Sequence, residues 1–175
     1  MEGRMSEQNK TTEEWERRVA AAWADIDAYG DERADEFREL IGELADELPE
    51  GSAIAPFERA CAFDSTGHSD KAVPLYEEAL AKGLAGYRRR RTAIQLASSL
   101  RNTGRLEEAI ALLTPELEAE HDELDDAVRA VLALCLVDAG RGREAVSLAV
   151  GALAPHLPRY QRSMANYARL LVEPE

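Results

Sequence analysis

A chain of 175 residues is long enough for one domain with a continuous core and too short for two full-sized ones. Its net charge of −13 argues against nonspecific binding to nucleic acid or anionic lipid, because neutralising phosphate needs a basic surface. Apolar residues come in short runs, none long enough to cross a bilayer, and the abundant residues Ala, Leu, Glu and Arg are good helix formers.

Met1 to Lys10 is polar and lacks the apolar stretch of a secretory signal. It reads as a disordered lead or an expression remnant, with Met5 as a second candidate start. Thr11-Thr12-Glu13-Glu14 has the pattern of a capping box, Thr11 with Glu14 three residues on. The helix it opens is expected to run toward Tyr29, where Gly30-Asp31 breaks it, and a second helix is expected over about residues 32–48. Residues 11–48 thus predict a degenerate N-terminal hairpin acting as a cap.

Three segments follow, residues 52–85, 87–122 and 124–157, and they share one pattern. Gly67, Gly104 and Gly140 are spaced 37 and 36 residues apart. Seven residues before each glycine stands an alanine (Ala60, Ala97, Ala133), and four before stands a bulky apolar residue (Phe63, Leu100, Leu136). Five after comes another alanine (Ala72, Ala109, Ala145), six after Val73, Ile110 and Val146, and eight after Leu75, Leu112 and Leu148. The glycine ends one helix in a left-handed conformation, the alanines let two antiparallel helices approach, and the larger residues fill the seam. Such a hairpin cannot bury its apolar face alone, so hairpins stack. Gly30 keeps the beat, 37 residues before Gly67, and Ile26 sits in the bulky column, but Trp23 replaces the alanine.

The stretches ERACAFDSTGHSDKAVPLYEEAL (58–80), QLASSLRNTGRLEEAIALL (95–113) and LALCLVDAGRGREAVSLAVGAL (132–153) resemble the tetratricopeptide repeat, which places small residues and a glycine at these offsets. The resemblance covers roughly residues 52–158. Its wording is similar to a small group of bacterial single-domain tetratricopeptide proteins of unassigned function. It implies an all-α, right-handed α-solenoid, a scaffold for protein binding, and association as a homodimer. Four hairpins and a C-terminal cap give about nine helices. The chain departs from the general repeat in its slightly long period and its lack of Trp at the first helix's usual aromatic position.

Two prolines test the scheme. Pro74 is expected in the first turn of its helix, with Ser69 or Asp70 as cap, where proline is tolerated. Thr114-Pro115-Glu116 looks like a fresh start and predicts a kink or break near 114. After Leu157-Pro158, residues 158–172 predict a C-terminal cap helix with Met164, Tyr167, Leu170 and Leu171 on one side.

Catalytic and metal-binding patterns do not emerge. His68, His121 and His156 have no partner at metal-ligand spacing, and His68 is expected exposed in a turn. No nucleophile elbow, phosphate loop or dinucleotide fingerprint occurs. Glu118, Glu120, Asp122, Glu123, Asp125 and Asp126 read as a solvated acidic linker rather than a calcium loop. Cys61 and Cys135 read as reduced core thiols. These features predict a cytoplasmic protein without catalytic residues, metal or cofactor.

Charge is unevenly spread. Residues 1–50 hold 16 acids and 6 bases, whereas residues 83–106 hold no acid and six arginines: Arg88, Arg89, Arg90, Arg91, Arg101 and Arg105. Three readings compete: a solvated arginine face, pairing with the acidic 31–50 helix within or between subunits, or capture of an acidic or C-terminal-carboxylate ligand.

In such repeats the first helix of each hairpin lines the concave side. Its outward offsets give Glu58, Cys61, Asp64 and Ser65, then Gln95, Ser98, Arg101 and Asn102, then Val131, Leu134, Val137 and Asp138. With Arg91 these form the candidate groove, polar at one end and apolar at the other, suited to a peptide or partner helix and not to nucleic acid or membrane. The leading expectation is a protein-binding module. The alternatives are a self-associating scaffold using the apolar third repeat and C-terminal helix, and a small-ligand sensor or enzyme.

Overall fold

The structure is a computed structural model that describes residues 11–119 and 121–173. The lead expected over residues 1–10 and Glu120 of the acidic linker lie outside the described residues. Among those described, nine α-helices of eight or more residues alternate with turns, and no strand occurs. Contacts divide the chain into two compact units, one ending at Ser99 and the other beginning at Leu100.

Unit 1 opens with α1, Glu13–Ala24. Its cap is Thr12, not Thr11: the Thr12 side chain accepts a hydrogen bond from the Trp15 amide at 3.1 Å, and Thr11 instead donates to Glu16. The helix also stops earlier than expected, at Asp25, with one further turn over Ile26–Tyr29 and a 3-10 turn over Asp31–Arg33 before α2, Ala34–Asp46. Gly30 has φ 58° and ψ −172°, so it does not make the left-handed helix end that its spacing suggested. Phe37 anchors this hairpin from α2, its ring 5.1 Å from Trp23 and 5.5 Å from Tyr29. The Trp15 indole N–H donates to the Leu44 carbonyl at 2.7 Å, satisfying a polar tip that would otherwise be buried unpaired.

Helix α2 packs on α3, Ile54–Ser65, which forms a tight hairpin with α4, Ser69–Ala81. Helix α5 runs Gly86–Asn102 and belongs to unit 1 up to Ser99. Ala60 and Ala72 are fully buried, as the close approach of α3 and α4 demands. Pro74 is the sixth residue of α4 and lies in its second turn, not its first. It is exposed there, so the amide it lacks is missing on the solvent side.

In unit 2, α6, Leu106–Leu113, gives way to a 3-10 turn over Thr114–Leu117, which is the break expected at Pro115. Helices α7, Asp125–Asp138, and α8, Gly142–Leu153, pair as a hairpin, and α9, Gln161–Leu170, packs on α8. Ala109, Ala133 and Ala145 are buried as their columns predict, but Val146, though it keeps the Val/Ile column in sequence, is half exposed. On α9 the inward residues are Met164, Ala168 and Leu171, whereas Tyr167 and Leu170, expected on the same side, are exposed.

The glycine column closes three turns in one way. Gly67, Gly104 and Gly140 have φ of 81°, 80° and 75°. Each next residue (His68, Arg105, Arg141) donates its amide to the carbonyl of the bulky-column residue, Phe63, Leu100 or Leu136, at 2.8–2.9 Å. This is the Schellman arrangement, with the glycine's own amide bonded three residues back. His68 is therefore not a free surface ring: it is half-buried and lies edge-on to Phe63 at 6.2 Å.

Candidate functional site

Within unit 1 the facing sides of α3 and α5 are joined by polar rungs. On α3 the residues are three apart, Glu58, Cys61 and Asp64, so they share one face. At the first rung, Arg88 Nε lies 3.5 Å from Glu58, an electrostatic contact rather than an aligned hydrogen bond. At the second, the Cys61 thiol donates to Gln95 Oε1 at 3.6 Å, and at the third the Ser99 hydroxyl donates to Asp64 Oδ1 at 2.7 Å. Arg91 lies between the first two rungs, its guanidinium 5.3 Å from the centre of the Phe57 ring.

Glu58 is 4% exposed, so it does not line an open groove as its offset suggested. Trp23 covers it from α1, donating its indole N–H to Glu58 Oε2 at 3.0 Å. Burial raises the Glu58 carboxyl above its ordinary value, against the pull of the Trp23 hydrogen bond and of Arg88. Arg88 is shared with Glu16, whose Oε2 it meets at 2.7 Å. Burial opposes charge on Glu16 too, but the Arg88 and Thr11 hydrogen bonds outweigh it and lower its pKa. Of the arginine run, Arg88 therefore pairs internally with acids of α1 and α3, rather than with the 31–50 helix that one of the three readings named.

Cys61 is fully buried and its thiol is pushed up to about 12, chiefly by burial. Above it, Asp64 collects hydroxyls: Tyr76 at 3.3 Å, Ser99 at 2.7 Å and Ser69 at 3.5 Å. Tyr76 is itself raised by burial and also meets Cys61 Sγ at 3.7 Å. Sequence reasoning missed Glu16, Trp23, Tyr76 and Ser99 as members of this network. A large Trp in the alanine column was the one available signal.

Of the expected groove residues in unit 1, Arg91, Gln95, Ser98 and Asp64 are partly exposed and Ser65 is exposed. A pocket of about 600 Å³ opens beside them at the start of α5, lined by Ile54, Leu84, Tyr87, Arg88 and Arg91. In unit 2, Arg101 is tied to Asp138 by a 2.6 Å ion pair, Asn102 is exposed, and Val131 is half-buried. Leu134 and Val137 stand out from α7 at 50% and 56% exposure. His121 and His156 bond to Asp125 and Asp126 at 2.7 and 2.8 Å.

A family profile described as tetratrico peptide repeat matches residues 53–171, most of the chain. The chain belongs to that family. Comparison with curated proteins and with solved structures gave no match. Tetratricopeptide repeat domains generally bind protein partners and are typically not enzymes. In this member, no described helix is long and apolar enough to cross a membrane. Among the described residues no group of three or more His, Cys, Asp or Glu is placed to hold a metal ion.

Proposed function

We propose that this tetratricopeptide protein is a non-enzymatic binding module that holds an extended peptide segment of another protein on the face between α3 and α5. The supporting observation is the set of rungs Glu58–Arg88, Cys61–Gln95 and Asp64–Ser99. They fix the helices that carry Arg91, Gln95 and Ser98, leaving those three side chains partly open to a guest. Gln95, held by the buried Cys61 thiol, and Arg91, over the buried Phe57 ring, lose little freedom on binding, which favours affinity. Gln95 and Ser98 suit main-chain hydrogen bonds, and the pocket beside Arg91 suits an apolar or acidic side chain of the peptide. The buried thiols fit a reducing compartment, and we place the protein in the cytoplasm.

The test is a comparison of two baits in extracts of the native organism, wild type and Gln95→Ala with Ser98→Ala, each checked for an unchanged thermal melt. The reading predicts partners retained by the first and lost by the second. Retention of the same proteins by both removes the face from consideration.

A second reading, a closed homodimer, is favoured by one observation: Leu134 and Val137 are both at least half exposed on α7. Replacing both by Asp should then leave a monomer at concentrations where wild type is a dimer.

A further inference from the structure

Two helix faces in this chain carry stripes of mostly one charge sign, interrupted by the ion pairs Arg33–Glu36 and Arg169–Glu173. The face of α2 directly opposite buried Phe37 and Ile41 presents Glu36, Glu39 and Glu43, continued backward by Glu32 in the preceding turn. Glu36, Glu39 and Glu43 are spaced three and four residues apart, which puts them on one stripe. All are exposed; Glu36 pairs with Arg33, and Glu39 and Glu43 make no ion pair among the described residues.

Helix α9 offers the converse. Residues 145–172 contain no acid at all, in a chain of net charge −13. On the side of α9 opposite buried Ala168 stand Arg162, Asn166 and Arg169, with Arg159 just before the helix, again spaced three, four and three. All four are exposed. Arg169 meets Glu173 and Asn166, whereas Arg159 and Arg162 have no acidic partner among the described residues. Tyr160, Tyr167 and Leu170 flank the stripe and are more exposed than large apolar side chains usually are.

The registers agree. Arg162 and Arg169 are seven residues apart, about 10.5 Å along a helix, and so are Glu36 and Glu43. We propose that α9 of one copy docks along the acidic stripe of α2 of a second copy, Arg162 and Arg169 meeting Glu36, Glu39 and Glu43. The occupant is a second copy because the complementary stripe of the same spacing is carried by the chain itself. An anionic membrane is disfavoured by the overall charge, which repels it. The contact is heterologous: α9 meets α2, and each copy keeps one unused partner of each kind. Such a contact builds open chains or rings rather than a closed pair. It needs neither the α3–α5 face nor Leu134 and Val137.

The experiment measures mass by sedimentation equilibrium on the full chain over a range of concentrations, at low and at high salt. Wild type should grow past twice the monomer mass as concentration rises at low salt, and shrink toward monomer at high salt. Arg162→Glu with Arg169→Glu should weaken association by about a hundredfold, and so should Glu39→Arg with Glu43→Arg. Mixed in equal amounts, the two variants restore complementary faces and should associate again, a result that misfolding of either one does not give. Four outcomes overturn the proposal: a wild-type monomer throughout, including one that binds only anionic vesicles; assembly unaffected by either reversal; a plateau at twice the monomer mass that only Leu134→Asp with Val137→Asp disrupts; or no recovery on mixing.

Discussion

The indole N–H of Trp23 donates to Glu58 Oε2 at 3.0 Å, so a residue of the N-terminal hairpin closes over a buried acid of the first full repeat. Removing that donor leaves a buried carboxylate oxygen without its neutral partner. Trp23→Phe should therefore lower stability by about 1–3 kcal/mol, read from urea midpoints. A change within the error of the extrapolation would mean that the hairpin does not secure Glu58.

The same acid sets a pH dependence. Burial raises the folded-state pKa of Glu58 above its ordinary value. Its contribution is therefore fully present below the unfolded value and lost as pH rises through the folded one. Glu16 runs the other way. Its lowered pKa gives a contribution present above the unfolded value and lost on acidification. Glu58→Gln keeps an oxygen for Trp23 and removes the buried charge. It should be more stable than wild type at neutral pH, with the advantage shrinking as pH falls through the carboxylate range. Urea midpoints across a pH series give the answer, and a pH-independent difference contradicts it.

The turn glycines make a conformational prediction. A Cβ at Gly67 or Gly140 meets nothing within 4 Å, so a substitution there is not opposed by contact. Their φ of 81° and 75° is the obstacle, and Ala at either should cost about 1–2 kcal/mol. Gly42, in the middle of α2 and equally unobstructed, should gain about 0.5–1 kcal/mol on replacement by Ala. Opposite signs in the same denaturation assay distinguish turn geometry from packing.

Cys61 predicts chemical silence. A fully buried thiol pushed up to about 12 is neither ionised nor reachable at neutral pH. Cys135 is buried and also shifted upward by burial. Alkylation followed by mass spectrometry should find both unmodified in the native protein and both modified in denaturant. Rapid native labelling of Cys61 would mean that the α3–α4–α5 packing opens readily.

Much of the fold was legible because a repeat writes its geometry several times over. The glycine and bulky columns are the two ends of one hydrogen-bond pattern, His68 to Phe63, Arg105 to Leu100 and Arg141 to Leu136, so chance agreement was excluded by repetition. The break at Pro115 was legible for a local reason, a missing amide. What failed depended on neighbours. Offsets along α3 gave the shared face of Glu58, Cys61 and Asp64 but not what covers it, and Trp23 of α1 covers Glu58. Thr11 and Thr12 are equivalent as caps in composition, and only the chain direction into α1 selects Thr12. Val146 obeys the column and is still exposed, since periodicity places a side chain on a face without guaranteeing that another helix arrives there.

On the binding-module reading the α3–α5 face is where a partner is held. Backbone amide chemical-shift mapping tests it most directly, using the isotope-labelled full chain titrated with a partner recovered on the wild-type bait. The largest shifts are expected at Arg91, Gln95 and Ser98, with smaller ones at Ser65 and Tyr87. Perturbations confined to α9, or to the outer side of α4, with those three amides unmoved, would contradict it.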